Sequence, residues 1–542
     1  TVVEPPPGVA FAMQRGKDEL LPPSKAGKRS LVFDLGVRIS ERKDGGAPNV
    51  LGPFAQGKPD DRFLYLNSGT MAGQQDSCWT RRAKIKTSGI SWKLVEQTFA
   101  TPGAVLEVEV DGHAKDGVLA RRRQHLHEAM GFAVRKYDNP IAGQGPVLLA
   151  TRIEDAKLPT VLGYGHGDVV RGLEDQWTKG EGPWITARDG DRLYGRGTAD
   201  NKGQHTINMA ALRAVMEERS GKLGFNAKFM IEMGEESGSK GLKELVQANA
   251  GDFAADVFIA SDGPRVRQDR PTLALGCRGA VNFDLVVDLR EGGHHSGNWG
   301  GLIANPGFIL AHALASIVGP KGELLVEELK APPMSTAVKA ALADVEIDGG
   351  DKGPAVDAWW GEPGHSPAER VYAANTFNIL TYWCGTPGRP VNAIPPKAVA
   401  NCQLRFVAGT MADNIRPALE RHLRANGHHL VRVMPPPAVN DGEFQATRTE
   451  PDHPWVLFAR RSLSRSTNSQ PAIVPSMGGS ICNDIFTDIL GLPTIWIPHS
   501  YASCSQHWPD EHILMGLSRS AIEVMAGLYW DIGSGESLPR ST

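Results

Sequence analysis

From residue 146 onward, short apolar runs and helix-patterned stretches take turns along the chain, and the loops between them hold concentrated polar chemistry. The runs PVLLATR, PTVLGYG, FNAKFMIEM and ADVFIASDG have strand length, and they are separated by HTINMAALRAVMEER and SKGLKELVQANA, which repeat apolar residues at helical spacing. Continuous apolar strands need cover on both faces, so the alternation predicts an α/β fold with a sheet flanked by helices. Sites in such sheets form in the loops just past the strands, which is where the polar residues of this chain gather.

A second rhythm begins after Gly279. Strand AVNFDLVVDLR and helix NPGFILAHALASIV are followed by strands TFNILTYW and KAVANCQLRFVAG, helix MADNIRPALERHLRANG and strand HHLVRVM. That order predicts a small α+β unit inserted in the first domain. The chain then returns to α/β character with PAIVPSMGG, GLPTIWIPHS and a closing helix from about His512 to Met525. At 542 residues more than one core is expected. The boundaries are an N-terminal segment 1–110, a catalytic domain in two parts, 111–278 and 435–542, and the insertion 279–434. The first segment, with PPP, KDGGAP and GKPDDR, predicts weak or partial order; from Val118 a charged amphipathic stretch, GVLARRRQHLHEAMGFAV, leads into the first strand.

Composition narrows the partners. Lys+Arg 58 against Asp+Glu 61 leaves a net charge of −3, too little positive field for nucleic acid or an anionic membrane, so a small molecule or peptide is the expected partner. No run reaches the apolar length of a spanning helix, and TVVEPPPGVAFAMQRGKDELLPP lacks the apolar block of a secretory signal. Six scattered cysteines without a CxxC pair predict a reducing, cytoplasmic setting. The chain has no HExxH, no GxGxxG after a strand, and GHSPAER does not form a GxSxG elbow.

Five segments each place a metal-type ligand in a loop or at a strand end: GYGHGDVV, LYGRGTADNKGQ, IEMGEESGS, IASDGPR and SQHWPDEH. Singly each reads as a turn, a solvated face or an ordinary histidine. Jointly they supply two histidines and several acids, the set two neighbouring divalent ions require: an anionic bridge between like charges, plus terminal imidazole and carboxylate ligands.

In this order the segments resemble the signature set of the zinc aminoacylase, carboxypeptidase and dipeptidase family that includes glutamate carboxypeptidase, carnosinase and succinyl-diaminopimelate desuccinylase. The resemblance runs from about Ala120 to Gly533. It implies a catalytic domain with a central mixed sheet flanked by helices and an inserted ferredoxin-like lid and dimerisation domain. It implies two divalent ions, zinc first, with cobalt or manganese as alternates. His166, Asp200 and Asp262 would hold one ion and Asp200, Glu236 and His507 the other, Asp200 bridging. Asp168 would orient the His166 imidazole, and Glu235 would be the general base. In GGHHSGNWGG, His295 aligns with the histidine that reaches the partner subunit's site to steady an oxyanion, which implies a homodimer. Arg405 aligns with the arginine that grips the substrate carboxylate, and Gly478, Gly479 and Ser480 of SMGGSIC with a loop near that end of the substrate.

The resulting expectation is a hydrolase that cleaves an amide or peptide bond next to a free carboxylate. A dipeptidase or carboxypeptidase and an N-acyl-amino-acid deacylase or desuccinylase both fit this chemistry; the GGS loop followed by Ile481 leans towards the former. A metal-binding protein of the same fold without turnover is the remaining alternative, opposed by the presence of Glu235 and His295. Two features depart from the family. Its usual opening is not found before Ala120, and His205 stands where a smaller residue is usual, either lining the pocket or packing beneath Asp200.

Overall fold

The computed structural model of the chain describes in full residues 130–347, 349, 353–386, 390–436, 443–535, 538 and 539. The expectations for 1–110 and for most of the amphipathic stretch from Gly117 lie outside them.

The first described strands are β1 (Ala133–Tyr137), β2 (Val147–Arg152) and β3 (Thr160–His166). Helix α1 (Lys202–Glu218) leads to β4 (Asn226–Glu232), then β5 (Val257–Ala260) and β6 (Thr272–Ala274). After the inserted segment come α2 (Pro454–Thr467), β7 (Ala472–Val474), β8 (Thr494–Trp496) and α3 (Met515–Ser534). The closing helix thus starts later and runs further than its sequence pattern indicates. His512–Leu514 is instead a short strand paired with Arg192–Tyr194, because its backbone hydrogen bonds go to that neighbour.

These eight strands form one mixed sheet in the order β1-β2-β4-β3-β5-β8-β6-β7. β4, β3, β5 and β8 are mutually parallel, so their carboxyl ends share one edge. His166 ends β3, Glu232 ends β4, and Ser261 and Asp262 follow β5. The parallel register therefore brings segments far apart in sequence to one edge. Behind that edge lies a core of Leu162, Tyr164, Phe258, Phe486 and Trp496, with Phe258 and Phe486 stacked at 4.0 Å between ring centroids. Each such buried ring contributes on the order of 1.5–3 kcal/mol relative to exposure. α3 packs against α1 and α2.

The segment from Gly279 has its own core. It comprises β9 (Gly279–Asp288), α4 (Pro306–Ile317), β10 (Thr376–Cys384), β11 (Lys397–Phe406), α5 (Ile415–Ala425) and β12 (Arg432–Met434). The strands form an antiparallel sheet ordered β10-β11-β9-β12. Phe283, Leu285, Leu310, Leu404, Leu419 and Leu423 fill the space between sheet and helices. α4 begins cleanly because the Asn305 side chain accepts from the Gly307 N–H and Pro306 needs no partner for its nitrogen. Along β10 the outward residues Ile379, Leu380, Tyr382 and Trp383 remain exposed on a sheet edge. No helix among the described residues is long and apolar enough to cross a membrane.

Candidate metal centre

Five ligand-type side chains meet at the carboxyl edge of the main sheet. Nε2 of the fully buried His166 lies 3.1 Å from Asp200 Oδ1 and 3.6 Å from Asp262 Oδ2. The other Asp200 oxygen, Oδ2, lies 3.0 Å from His507 Nε2, which is 3.1 Å from Glu236 Oε2. Two groups result, His166–Asp200–Asp262 and Asp200–Glu236–His507, each with its ligand atoms within 4.8 Å of one another. Asp200 belongs to both and turns one oxygen to each, the geometry of a bridging carboxylate.

The charge balance of the cluster calls for cations. Burial pushes the Glu235 carboxyl well above its ordinary range, and the neighbouring Asp262 and Glu236 charges add to this against the opposing pull of His166. Glu236 and Asp262 are likewise raised, by burial and by the Asp200 charge. The imidazoles respond in the opposite sense. His507, bonded to Asp200 and Glu236, is pushed up to about 11, and His166 rises well above its usual value because Asp168, Asp200 and Asp262 outweigh its burial. Asp200 is held well below the carboxylate range, its two histidine partners overcoming burial. Glu236 Oε1 is buried without a hydrogen-bond partner. An acid-rich site that draws protons onto both histidines and leaves a carboxylate oxygen unpaired fits divalent ions in both groups.

The supporting contacts explain how these side chains are aimed. His166 Nδ1 faces the Asp168 main-chain oxygen at 3.1 Å and its carboxylate at 3.5 Å. The Asp168 carboxylate also accepts from the N–H groups of Glu235 and Glu236, at 3.2 and 3.1 Å. One side chain thus steadies both the imidazole and the short helical turn carrying the two glutamates. His205 is fully buried: its Nδ1 pairs with Asn201 Oδ1 at 3.0 Å and its side chain lies against Gly165. A Cβ at Gly165 would sit 2.4 Å from the His205 Cβ and 2.5 Å from its ring, so the strand tolerates only glycine there.

Sequence reasoning quoted but did not assign Glu511 and Arg196. Glu511 Oε1 accepts from the N–H groups of Gly197, Ala199 and Asp200, each at 3.0 Å, and Oε2 accepts from Arg196 Nη1 at 2.7 Å. Both residues are fully buried. The available signal was their occurrence inside the HWPDE and GRGTAD segments, two charges of opposite sign in otherwise glycine- and proline-rich loops.

Away from the ligands, Arg405 Nη1 donates to Ser480 Oγ at 2.8 Å, so the inserted segment meets the 478–480 loop. Gly479 faces open space, whereas a Cβ at Gly478 would press on Val371 at 3.3 Å. Arg278, which sequence reading passed over, lies against the same loop, its Nε donating to the Gly478 carbonyl at 3.1 Å. His295 is not brought to the ligands within one chain. It is exposed, accepts from Gly297 N–H through Nδ1, and has no hydrogen bond or ion pair to any of the five.

A sequence profile for Peptidase family M20/M25/M40 matches residues 162–531, and one for a family of unknown function (DUF5990) matches residues 1–125. Beta-Ala-His dipeptidase of Rattus norvegicus is 34% identical over 468 residues, which cover 78% of this chain and 91% of that protein. Cysteinylglycine-S-conjugate dipeptidase of Corynebacterium striatum is 28% identical over 361 residues, 65% of this chain and 76% of that one. Among solved structures, an M20 family metallo-carboxypeptidase from Sulfolobus solfataricus superposes with a TM-score of 0.65 at 22% identity, covering 79% of this chain and 96% of its own. Human carnosine dipeptidase 1 gives 0.61 at 22% identity, covering 78% and 91%.

Proposed function

This chain belongs to peptidase family M20/M25/M40 and is a metal-dependent peptidase, and from that premise we propose that it hydrolyses dipeptides with a free terminal carboxylate, using two zinc ions. The observation that carries the reading is the pair of three-ligand groups sharing Asp200, with Glu235 beside them. The printed activities of the two relatives, Beta-Ala-His and cysteinylglycine-S-conjugate dipeptidase, support small peptides over acylated amino acids.

His166, Asp200 and Asp262 would hold one ion and Asp200, Glu236 and His507 the other. Ions bound there would polarise the scissile carbonyl and would make water acidic enough to lose a proton near neutral pH. Glu235 accepts that proton and then passes it to the leaving nitrogen, which suits a carboxyl whose affinity for protons is raised by burial. Asp168 keeps Glu235 in place through its backbone N–H. Arg405 and Ser480 receive the substrate carboxylate.

Residues 279–434 act as the lid and dimerisation unit. The exposed apolar edge of β10 supports pairing with a second copy, because such edges are ordinarily covered. His295 of the partner subunit would then complete the site as an oxyanion donor.

The test is hydrolysis of dipeptides alongside N-acetyl and N-succinyl amino acids by protein stripped with chelator and restored with zinc, cobalt or manganese. Metal-restored cleavage of the dipeptides is expected. Cleavage confined to the acylated amino acids would replace the reading with a deacylase, and no cleavage at two bound ions per chain would refute it.

A further inference from the structure

Arg448 lies opposite Gly276 in a short antiparallel ladder, which the Thr449 N–H continues by donating to the Leu275 carbonyl at 2.7 Å. Residues two apart on extended chain point the same way, so the Arg448 and Glu450 side chains stand together. They form an ion pair: Nε and Nη2 of Arg448 both donate to Glu450 Oε1, at 2.9 and 2.7 Å. Arg448 Nη1 and Glu450 Oε2 have no hydrogen bond among the described residues. The pair therefore keeps one donor and one acceptor of opposite charge for something else.

Arg448 and Glu450 line a cavity of about 300 Å³, and every other residue lining it is apolar. Met334 and Ala373 on its wall pack against the core of the main sheet, whereas Val407 follows Phe406 of the core that begins after Gly279. Pro332, Pro333 and Ala408 complete the apolar wall. The buried Asn375 ties two sides of this wall together. Its Nδ2 donates to the Leu329 carbonyl at 2.9 Å and to Thr410 Oγ1 at 3.0 Å, and its Oδ1 accepts from the Val407 N–H at 2.8 Å. The cavity is thus formed before anything enters it, and its volume is at the lower end of small-molecule sites. At roughly 30 Å³ for each water-sized group, it has room for about ten non-hydrogen atoms. None of its residues belongs to the two ligand groups or to the 478–480 loop.

We propose that this cavity binds a free α-amino acid with an apolar side chain. The carboxylate takes Arg448 Nη1, the ammonium takes Glu450 Oε2, and the side chain lies against Met334, Val407 and the two prolines. A lone carboxylate or a lone ammonium would answer only one half of a neutral ion pair. The size of the cavity suits one amino acid and excludes a longer peptide. The site does not depend on the peptidase reading, and an occupant touches both cores at once, so its binding stabilises the folded chain.

The experiment is isothermal titration calorimetry on the full, metal-stripped chain with four compounds: L-leucine, 4-methylpentanoate, which lacks the ammonium, 3-methylbutylamine, which lacks the carboxylate, and glycine, which lacks the side chain. Leucine should bind with a Kd of about 1 mM or below, and the other three about tenfold or more weaker. Arg448→Met and Glu450→Gln should each weaken leucine by about tenfold or more, and Arg405→Met should leave it unchanged. Glu450 is half-exposed, so its variant keeps the test open if Arg448→Met does not fold. Thermal unfolding gives a second readout, since leucine should raise the midpoint of the unaltered protein and not that of Glu450→Gln. Absence of saturable leucine binding up to about 10 mM would overturn the inference. Undiminished binding in both cavity variants would do the same. Loss of binding in Arg405→Met alone would put leucine in the substrate cleft, and 4-methylpentanoate binding as tightly as leucine would replace the amino acid with a simple carboxylate; either result refutes the proposal.

Discussion

Replacing Glu511 with glutamine should damage the loop that presents Asp200 more than removing the arginine opposite. The Glu511 carboxylate gathers three backbone N–H groups on one oxygen and Arg196 on the other, all out of contact with water. Glutamine can keep one oxygen towards the three N–H groups, but its amide then meets the guanidinium as donor against donor. Arg196 is left as an unpaired buried charge, which costs about 3–5 kcal/mol. Arg196→Met leaves the carboxylate with its three N–H donors and loses one charged hydrogen bond, about 1.5–3 kcal/mol. In the double variant no charge is stranded, so it should be more stable than Glu511→Gln alone by about 2 kcal/mol. Urea unfolding of the metal-stripped proteins, followed by tryptophan fluorescence, measures the cycle. Losses that add within about 0.5 kcal/mol would refute the reasoning, because uncoupled residues cannot be sharing a buried pair.

Glu235→Gln should lower kcat by about a thousandfold or more with two ions still bound, since general base chemistry is lost and no ligand is; kinetics with metal analysis on the same sample checks it. Asp168→Asn offers one acceptor where two N–H groups need one each, so kcat should fall about 10- to 100-fold at unchanged metal content, the effect of one unsatisfied buried donor. Glu232, buried and accepting from Tyr164 and Ser239, is pushed up to about 7 chiefly by burial, with the Asp168 charge adding to it. Because its folded value exceeds the unfolded one, its stabilising contribution is present below pH of about 4.5 and is lost as the pH rises through about 7, amounting to about 3 kcal/mol. Glu232→Gln should therefore gain on the unaltered protein by about that amount between pH 5 and pH 8 in urea midpoints, and parallel pH profiles would contradict this. Gly165→Ala, which sets a methyl against His205, should destabilise by about 1–3 kcal/mol in thermal unfolding.

The α/β alternation and the five ligand-bearing segments were legible from residues alone because both are local. A strand buried on two faces must be written in apolar residues, and a loop that serves a metal must carry acids and imidazoles within a few positions of a strand end. The strands and helices after Gly279 were legible for the same reason, having ordinary lengths. The end of the chain was read less well. The HIL run carries no strand signature of its own and becomes one by pairing with Arg192–Tyr194.

What the tertiary structure decided is which distant groups share a place. Glu511 and Arg196 lie 315 positions apart, so nothing near either residue announces the pair. The buried seat of His205 against Gly165 and Asn201 depends on the absent side chain of Gly165, a residue of β3. Arg278 drew no attention in the sequence; only the fold links it to Arg405 through Ser480. The sequence by itself determined the residue types and their order, because burial patterns and ligand chemistry are properties of short segments. The meeting of those segments depends on parallel strand register, and non-local contacts of that kind exist only once the chain is folded.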